Sequence, residues 1–381
     1  MTEDDHGRPA TDRVHSKLSP GMSRRRLLSS LSGLGFSQVT AQFLTQEDLA
    51  GAASDQVPIV CGIHRDDQNS EYDTHTRNVP ADWYNDYRHA TTVKENLESK
   101  LSKKTGVVSV GVEPGELGGD NSRLIVRMAE SKINRMMGEV PTEIEGVEVA
   151  VESASGYRRL GCRNDLRNWS SSRRTIHGGY EVQGNASAPI GTTGAAAFKN
   201  GQRYLATCQH IFSGKNVSGA TLKHPNGTPL GTVKMNRCME DYAMVKLNAD
   251  YRVDRSIRHS GFNGITGHFT YDGLGRLKSQ GARTQKVGRT TCRTSFAKLQ
   301  TTAETIYTAP GCVPKPYSVF HKDDSGGSDL KRGDSGSISF HQSPNNSNKC
   351  WLVSFINYED SNTNDVFGIG MYRLNDFGFG F

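Results

Sequence analysis

Past residue 179 the helical pattern nearly vanishes, and what replaces it constrains this chain more than any other feature. Short apolar runs such as Gly194-Ala195-Ala196-Ala197-Phe198, Tyr204-Leu205-Ala206-Thr207, Tyr242-Ala243-Met244-Val245-Lys246-Leu247, Ser337-Ile338-Ser339-Phe340 and Trp351-Leu352-Val353-Ser354-Phe355-Ile356 are cut by Gly, Asn, Pro and Asp. Many short strands at such spacing bury a face by pairing into a sandwich or barrel. The composition suits a loop-rich β protein with a modest core: 41 glycines and 34% hydrophobic residues. No stretch approaches the roughly 20 apolar residues that a spanning helix requires, so no membrane association is expected of the mature form.

At 381 residues the chain exceeds the usual single-domain size, which predicts more than one globular unit plus tails. Residues 1–52 read as a disordered lead followed by a twin-arginine export signal. Ser23-Arg24-Arg25-Arg26-Leu27-Leu28 continues weakly apolar through Phe43 and reaches the small residues Ala50-Gly51-Ala52. The plainer alternative is a basic tail beside a short amphipathic helix. Residues 53–102 carry Trp83, Tyr84 and Tyr87 and then a charged, helical-looking stretch over 92–104, without a recognisable function. Residues 103–152 read as a small α+β domain, with strands over 107–112, 123–128 and 147–151 and a short helix over 129–138, stopped before Pro141. It is read as a pro-segment, folding helper or regulatory module, or simply as a packing domain. Residues 153–178 read as a linker, and 179–381 as the β domain.

The formal net charge of +6 would permit nucleic-acid binding. The basic residues are scattered without interleaved aromatics, however, and more simply solvate the surface. No nucleic-acid partner is expected, and the oligomeric state is unreadable. Seven cysteines (Cys61, Cys162, Cys208, Cys238, Cys292, Cys312 and Cys350) leave at least one outside any intrachain pairing. None forms a C-x-x-C or a Cys/His cluster with zinc spacing, so no structural metal is expected. Up to three bridges would suit an exported protein.

The chemistry resides in three segments. Lys331-Arg332-Gly333-Asp334-Ser335-Gly336-Ser337 sets a serine between glycines ahead of a strand. A serine nucleophile requires a base within hydrogen-bond reach, a carboxylate to fix that base's tautomer, and N–H donors for the oxyanion. His210 supplies the base at the end of an apolar run, 204–209, and Asp241 supplies the carboxylate at the mouth of the run 242–247.

These segments resemble the motifs of the trypsin-like (chymotrypsin-fold) serine proteases, of the compact microbial type. Thr207-Cys208-Gln209-His210 is similar to the family's Thr-Ala-x-His, Asp241-Tyr242-Ala243-Met244-Val245 to its Asp-x-Ala-x-Val, and Gly333-Asp334-Ser335-Gly336-Ser337 to its Gly-Asp-Ser-Gly-Gly. They follow the family's order, with His210 and Asp241 31 residues apart and Ser335 a further 94 on. Gly191-Thr192-Thr193-Gly194 also resembles the turn that opens the family's first barrel. The resemblance implies an all-β catalytic domain of two six-stranded antiparallel barrels, preceded here by the small α+β domain. It implies a secreted serine endopeptidase acting on peptide or protein substrates without a cofactor, through His210, Asp241 and Ser335, with the Gly333 and Ser335 N–H groups as oxyanion hole. Asp329, six residues before Ser335, stands where trypsin-like members bind Arg or Lys, or is a surface acid. Arg173-Arg174-Thr175-Ile176 faintly resembles the activation site, where a freed amino terminus pairs with the aspartate before the serine.

The chain departs from the pattern at Cys208, Gln209 and Ser337. Cys208 reads as a buried structural thiol, as one end of a bridge to a residue such as Cys238, or as a redox-sensitive spot. Asp324-Ser325-Gly326-Gly327 also contains Asp-Ser-Gly-Gly, but it lacks the leading glycine and the following strand, and Ser335 is preferred. A pseudoprotease that binds peptide without cutting is the main alternative; a basic binding protein that uses the β fold as a scaffold is another.

Overall fold

The computed structural model describes residues 56–65, 72–101, 104–117, 121–136, 138, 140–154, 157–159, 174–186, 190–289, 295–307, 311–322, 334–344, 346–360 and 365–381. The described residues are mostly β. Their strands group by hydrogen bonding into a fourteen-stranded, a seven-stranded and a two-stranded sheet, and this pairing does not delineate two separate six-stranded barrels.

The seven-stranded sheet carries the first half of the candidate chemistry. Its last three strands are Tyr242–Leu247, Gln202–Cys208 and Ala196–Lys199, with Tyr242–Leu247 hydrogen-bonded on its other side to Pro229–Arg237. Leu205, Ala206, Met244 and Val245 fill its core, and Ile338, Phe340, Leu352 and Phe355 of the larger sheet pack into the same cluster. The two sheets therefore share one apolar interior, which holds the segments they carry in fixed relation.

The larger sheet runs from the edge strand Tyr72–Pro80 through Gln56–Arg65, Ile265–Phe269, Asn346–Asp360, Ile338–Ser343, Arg283–Lys286 and Ser295–Ile306. It continues through Val107–Glu113, Arg123–Ala129 and Val147–Ala154 to Glu143–Ile144. Strands from before residue 154 thus flank the strands that surround Ser335 on both sides. Gln56–Arg65 pairs with Ile265–Phe269, and Val107–Glu113 pairs with Ser295–Ile306. Two short strands, Tyr157–Arg159 and Thr175–Gly178, lie within the stretch read as a linker; the former pairs with Asn346–Asp360.

The helix Ala81–Leu101 begins immediately after Pro80 and carries Asp82 in its first turn and Lys100 in its last, charges that suit its dipole. Trp83, Tyr87, Ala90, Lys94, Leu97 and Leu101 recur every three or four residues and form its buried face. The helix starts well before the charged stretch that suggested it, because the aromatics belong to its first two turns.

The short helix Glu130–Met136 lies within the expected span 129–138, whereas the helix Tyr271–Ser279 is not foreshadowed by the sequence. Its two glycines disguise it, and both are there for close approach. A β-carbon on Gly273 would lie 1.8 Å from the Cys61 carbonyl oxygen, and one on Gly275 would lie 2.7 Å from the Tyr87 ring. Thr270 caps the helix by accepting from the Gly273 N–H at 3.1 Å.

Candidate active site

Strand register brings the first two candidate residues together. Gln202–Cys208 runs antiparallel to Tyr242–Leu247 with Cys208 opposite Tyr242, so His210 lies just beyond the end of one strand and Asp241 just before the start of the other. A single 3-10 turn, Gln209–Ile211, swings the imidazole back over the carboxylate. The His210 N–H donates to Asp241 Oδ1 at 2.9 Å, and His210 Nδ1 lies 2.7 Å from Asp241 Oδ2. An ionised carboxylate only accepts, so Nδ1 donates, and in the neutral imidazole that leaves the lone pair on Nε2.

Asp241 adopts the left-handed region at φ 52°, a conformation that Asp and Asn tolerate better than most residues. Burial alone would raise its carboxyl pKa. The His210 imidazole, by charge and hydrogen bond, together with Lys315 and the Tyr358 hydroxyl, holds it well below the usual carboxylate range instead. Tyr358 Oη donates to Oδ2, and Asn357 Nδ2 donates to the Asp241 carbonyl at 2.9 Å. Lys315 Nζ sits 4.8 Å above the Tyr358 ring.

The serine is presented by a tight turn. The Ser337 N–H donates to the Asp334 carbonyl at 2.8 Å, and Gly336 takes φ +96°, where a β-carbon would meet the Thr192 carbonyl at 2.3 Å. Both facts require glycine after the serine. Ser335 Oγ donates to the Asn357 carbonyl at 3.5 Å. Asn357 thus touches both Ser335 and Asp241. Ser335 is 0% exposed and His210 9%, so the imidazole is the part of the site that reaches the surface. Thr192, in the Gly-Thr-Thr-Gly segment, donates its N–H to the Ser335 carbonyl at 2.8 Å and accepts at its own carbonyl from Thr207 Oγ1 at 3.0 Å. It links the serine turn to the strand that carries the histidine.

The departures from the family pattern find structural partners. Gln209 Nε2 donates to the carbonyls of Gly214 and Lys215 at 2.8 and 3.0 Å, closing the loop after the histidine. Cys208 is a buried thiol whose Sγ donates to the Ile356 carbonyl at 3.5 Å. It does not bridge to Cys238, because Cys238 pairs with Cys312. That disulfide anchors the turn leading into Asp241 to the loop before Lys315. Cys61 and Cys350 are buried thiols whose pKa values are pushed up to about 12 by desolvation. Cys162 and Cys292 lie outside the described residues, as do Gly333, Asp329, Ser325 and residues 1–52.

Three residues around the site carry no signal in the sequence. Lys286 forms a buried ion pair with Asp334, while Asn357 and Tyr358 meet Asp241 across 116 and 117 residues. The last two lie in an ordinary strand run, and only the fold reveals their role.

The chain matches no protein-family model and no curated protein. Among solved structures it is similar to chymotrypsin-fold serine proteases. One is a glutamic acid-specific serine protease described as using a histidine triad in substrate binding, at 18% identity and TM-score 0.38, covering 54% of this chain and 99% of that one. Another is Thermobifida fusca Protease A, at 16% and 0.39, covering 54% and 97%. A third is Cellulomonas bogoriensis chymotrypsin, at 14% and 0.38, again covering 54% and 97%. At these scores the likeness carries no weight for function, which rests on the residues themselves.

Proposed function

We propose that this protein is a serine endopeptidase. The observation that carries the reading is the buried His210–Asp241 pair, 2.7 Å from nitrogen to oxygen, joined to Ser335 through Asn357. With Nδ1 committed to Asp241, His210 Nε2 takes the Ser335 proton as Oγ attacks a peptide carbonyl. It returns that proton to the departing amine, leaving an acyl-enzyme that water hydrolyses with the same base. Asp241 stays ionised throughout and stabilises the imidazolium. The Gly333 and Ser335 N–H groups are assigned to the oxyanion, and Asp329 to recognition of a basic side chain before the scissile bond. In this reading Ser335 belongs to one barrel and the His210–Asp241 pair to the other, although Asn346–Asp360 beside the serine turn pairs parallel, not antiparallel, with Ile265–Phe269. The Cys238–Cys312 bridge supports export to an oxidising compartment.

Fluorophosphonate labelling with peptide mapping tests the reading. Label is expected on Ser335, retained in Ser325→Ala and lost in Ser335→Ala. Folded protein that takes no label, or that takes it at Ser325, would overturn the assignment. A fluorogenic peptide panel tests Asp329: cleavage indifferent to Arg or Lys before the scissile bond would remove it from the site.

A further inference from the structure

Cys208 has no place in the hydrolytic scheme, yet it lies against the two residues that scheme depends on most. One ligand atom each from Cys208, His210 and Asp241 lies within 4.8 Å of the other two, the one such group of three among the described residues. Sequence spacing gave no hint of it. Cys208 and His210 are separated by one residue, and Asp241 arrives from the neighbouring strand through the Cys208–Tyr242 register.

We propose that these three residues form an inhibitory site for a borderline-soft divalent cation of the zinc type. Binding itself needs only the geometry; the inhibition rests on the reading of His210 as the base. A thiolate, an imidazole and a carboxylate are the donor set such an ion prefers, and three protein ligands leave a fourth position for water. Tetrahedral zinc with bonds of about 2.0–2.3 Å places its ligands roughly 3.3–3.8 Å apart, so closing the group requires a side-chain shift of about 1 Å. Cys208 and Asp241 are buried, and His210, at 9% exposure, is the ligand nearest the surface.

The ligand set balances the ion's own charge. A dication with one thiolate and one carboxylate is neutral, which a buried position tolerates better than an isolated charge, and the Lys315 ammonium that acts on Asp241 then faces a neutral site in place of a carboxylate. Loading releases one proton, from the Cys208 thiol. The metal replaces the hydrogen now shared between His210 Nδ1 and Asp241 Oδ2, and that hydrogen moves to Nε2. The imidazole stays neutral but now presents an N–H where it had presented a lone pair. The base is disabled while Ser335 is left in place.

Cobalt(II) titration of the full-length folded protein provides a readout independent of activity, because a thiolate ligand gives a sulfur-to-cobalt charge-transfer band. One equivalent is expected to produce that band in the wild type, and Cys208→Ala and Cys208→Ser to abolish it. The serine variant preserves volume and guards against a folding artefact. Zn(II) is expected to slow fluorophosphonate labelling of Ser335 by about tenfold or more in the wild type, with no slowing in Cys208→Ser. Loss of a direct ligand should exceed the roughly 10–100-fold cost of losing an outer-shell partner. Absence of the band, or its persistence in both Cys208 variants, overturns the site. If the Cys208-dependent band forms but Ser335 labels equally fast with and without Zn(II), the ion binds without inhibiting, so the inhibitory role fails and the endopeptidase reading stands. If the band forms only with Cys208 present while Ser335 never labels, the site stands and the endopeptidase reading fails.

Discussion

Lys286 Nζ lies 2.5 Å from Asp334 Oδ2, with both side chains buried directly beneath the serine turn. The strand Arg283–Lys286 pairs with Ile338–Ser343, with Lys286 opposite Ser339, so one sheet fixes both the cation and the turn that follows its partner. An activating cut near Arg174 would supply an amino terminus for Asp334, but Asp334 already has a cation. Thr175, the residue such a cut would free, is held in a strand parallel to Arg252–Ile257.

Lys286→Met is therefore expected to destabilise the fold by about 3–5 kcal/mol, because it leaves a buried carboxylate uncompensated. Arg174→Gln should leave the rate of fluorophosphonate labelling unchanged. Chemical denaturation and labelling kinetics measure the two effects. A labelling rate that collapses in Arg174→Gln would restore the activating cut.

Tyr358 is the residue whose role at the site is easiest to isolate. Its hydroxyl donates to the same Asp241 oxygen that receives the His210 hydrogen. Hydrogen bonds to charged groups contribute about 1.5–3 kcal/mol. Tyr358→Phe is expected to slow peptide hydrolysis by at least about tenfold without loss of the fold, whereas Asp241→Asn, which corrupts the tautomer, should cost about 10⁴-fold. Equal rates for Tyr358→Phe and wild type would confine Tyr358 to packing.

What the sequence made legible is what is local. The apolar runs ending at His210 and beginning after Asp241 are legible as strands because each is a short continuous apolar stretch that the fold buries on both faces, and the turn at Ser335 announces itself through glycine. The His210–Asp241 contact follows once those strands pair. The sequence could not reveal what arrives from a distance: Lys286 reaches Asp334 across 48 residues and Tyr358 reaches Asp241 across 117. No periodicity encodes such separations. The helix Tyr271–Ser279 was hidden for a different reason. Gly273 and Gly275 weaken its intrinsic helical signal, and they are present because the neighbouring backbone and the Tyr87 ring leave no room for a β-carbon.

Two buried histidines predict an acid-sensitive fold. Burial depresses His268 to about 4 and His321 to about 3, while both titrate near 6.5 when unfolded. Below about pH 6.5 the unfolded chain takes up protons that the native state refuses, so stability falls with pH until the native values are reached. Each histidine is expected to cost about 2 kcal/mol between pH 6.5 and pH 5. His321 is satisfied by Thr284 Oγ1 at 3.0 Å and Ser354 Oγ at 2.8 Å. His268 has no hydrogen-bond partner at either nitrogen among the described residues and packs edge-on against Phe381. His268→Phe should therefore flatten the acid loss by about 2 kcal/mol in urea unfolding at pH 7 and pH 5. An unchanged slope would mean that His268 is protonated in the native state.

The segment before residue 154 is bound to the serine-bearing sheet by a buried polar cluster as well as by strand pairing. Arg127 Nη1 lies 2.5 Å from Glu304 Oε2, with both side chains buried, and the Arg127 guanidinium stacks 3.6 Å from the Phe320 ring centroid. Thr301 Oγ1 donates to Glu304 at 2.8 Å, and Ser109 Oγ donates to it as well. Breaking such a pair from one side is costly, while replacing both partners with apolar groups is often close to neutral. Arg127→Met is expected to lower the unfolding free energy by about 3–5 kcal/mol, and Arg127→Met with Glu304→Leu to recover most of that loss. If the segment folds together with the rest, the loss should displace a single denaturation transition common to tryptophan fluorescence and circular dichroism, because Trp83 reports on the segment and Trp351 on the serine-bearing sheet. Two separated transitions, or an Arg127→Met change within about 0.5 kcal/mol of wild type, would show instead that the segment is an attachment the β domain can do without.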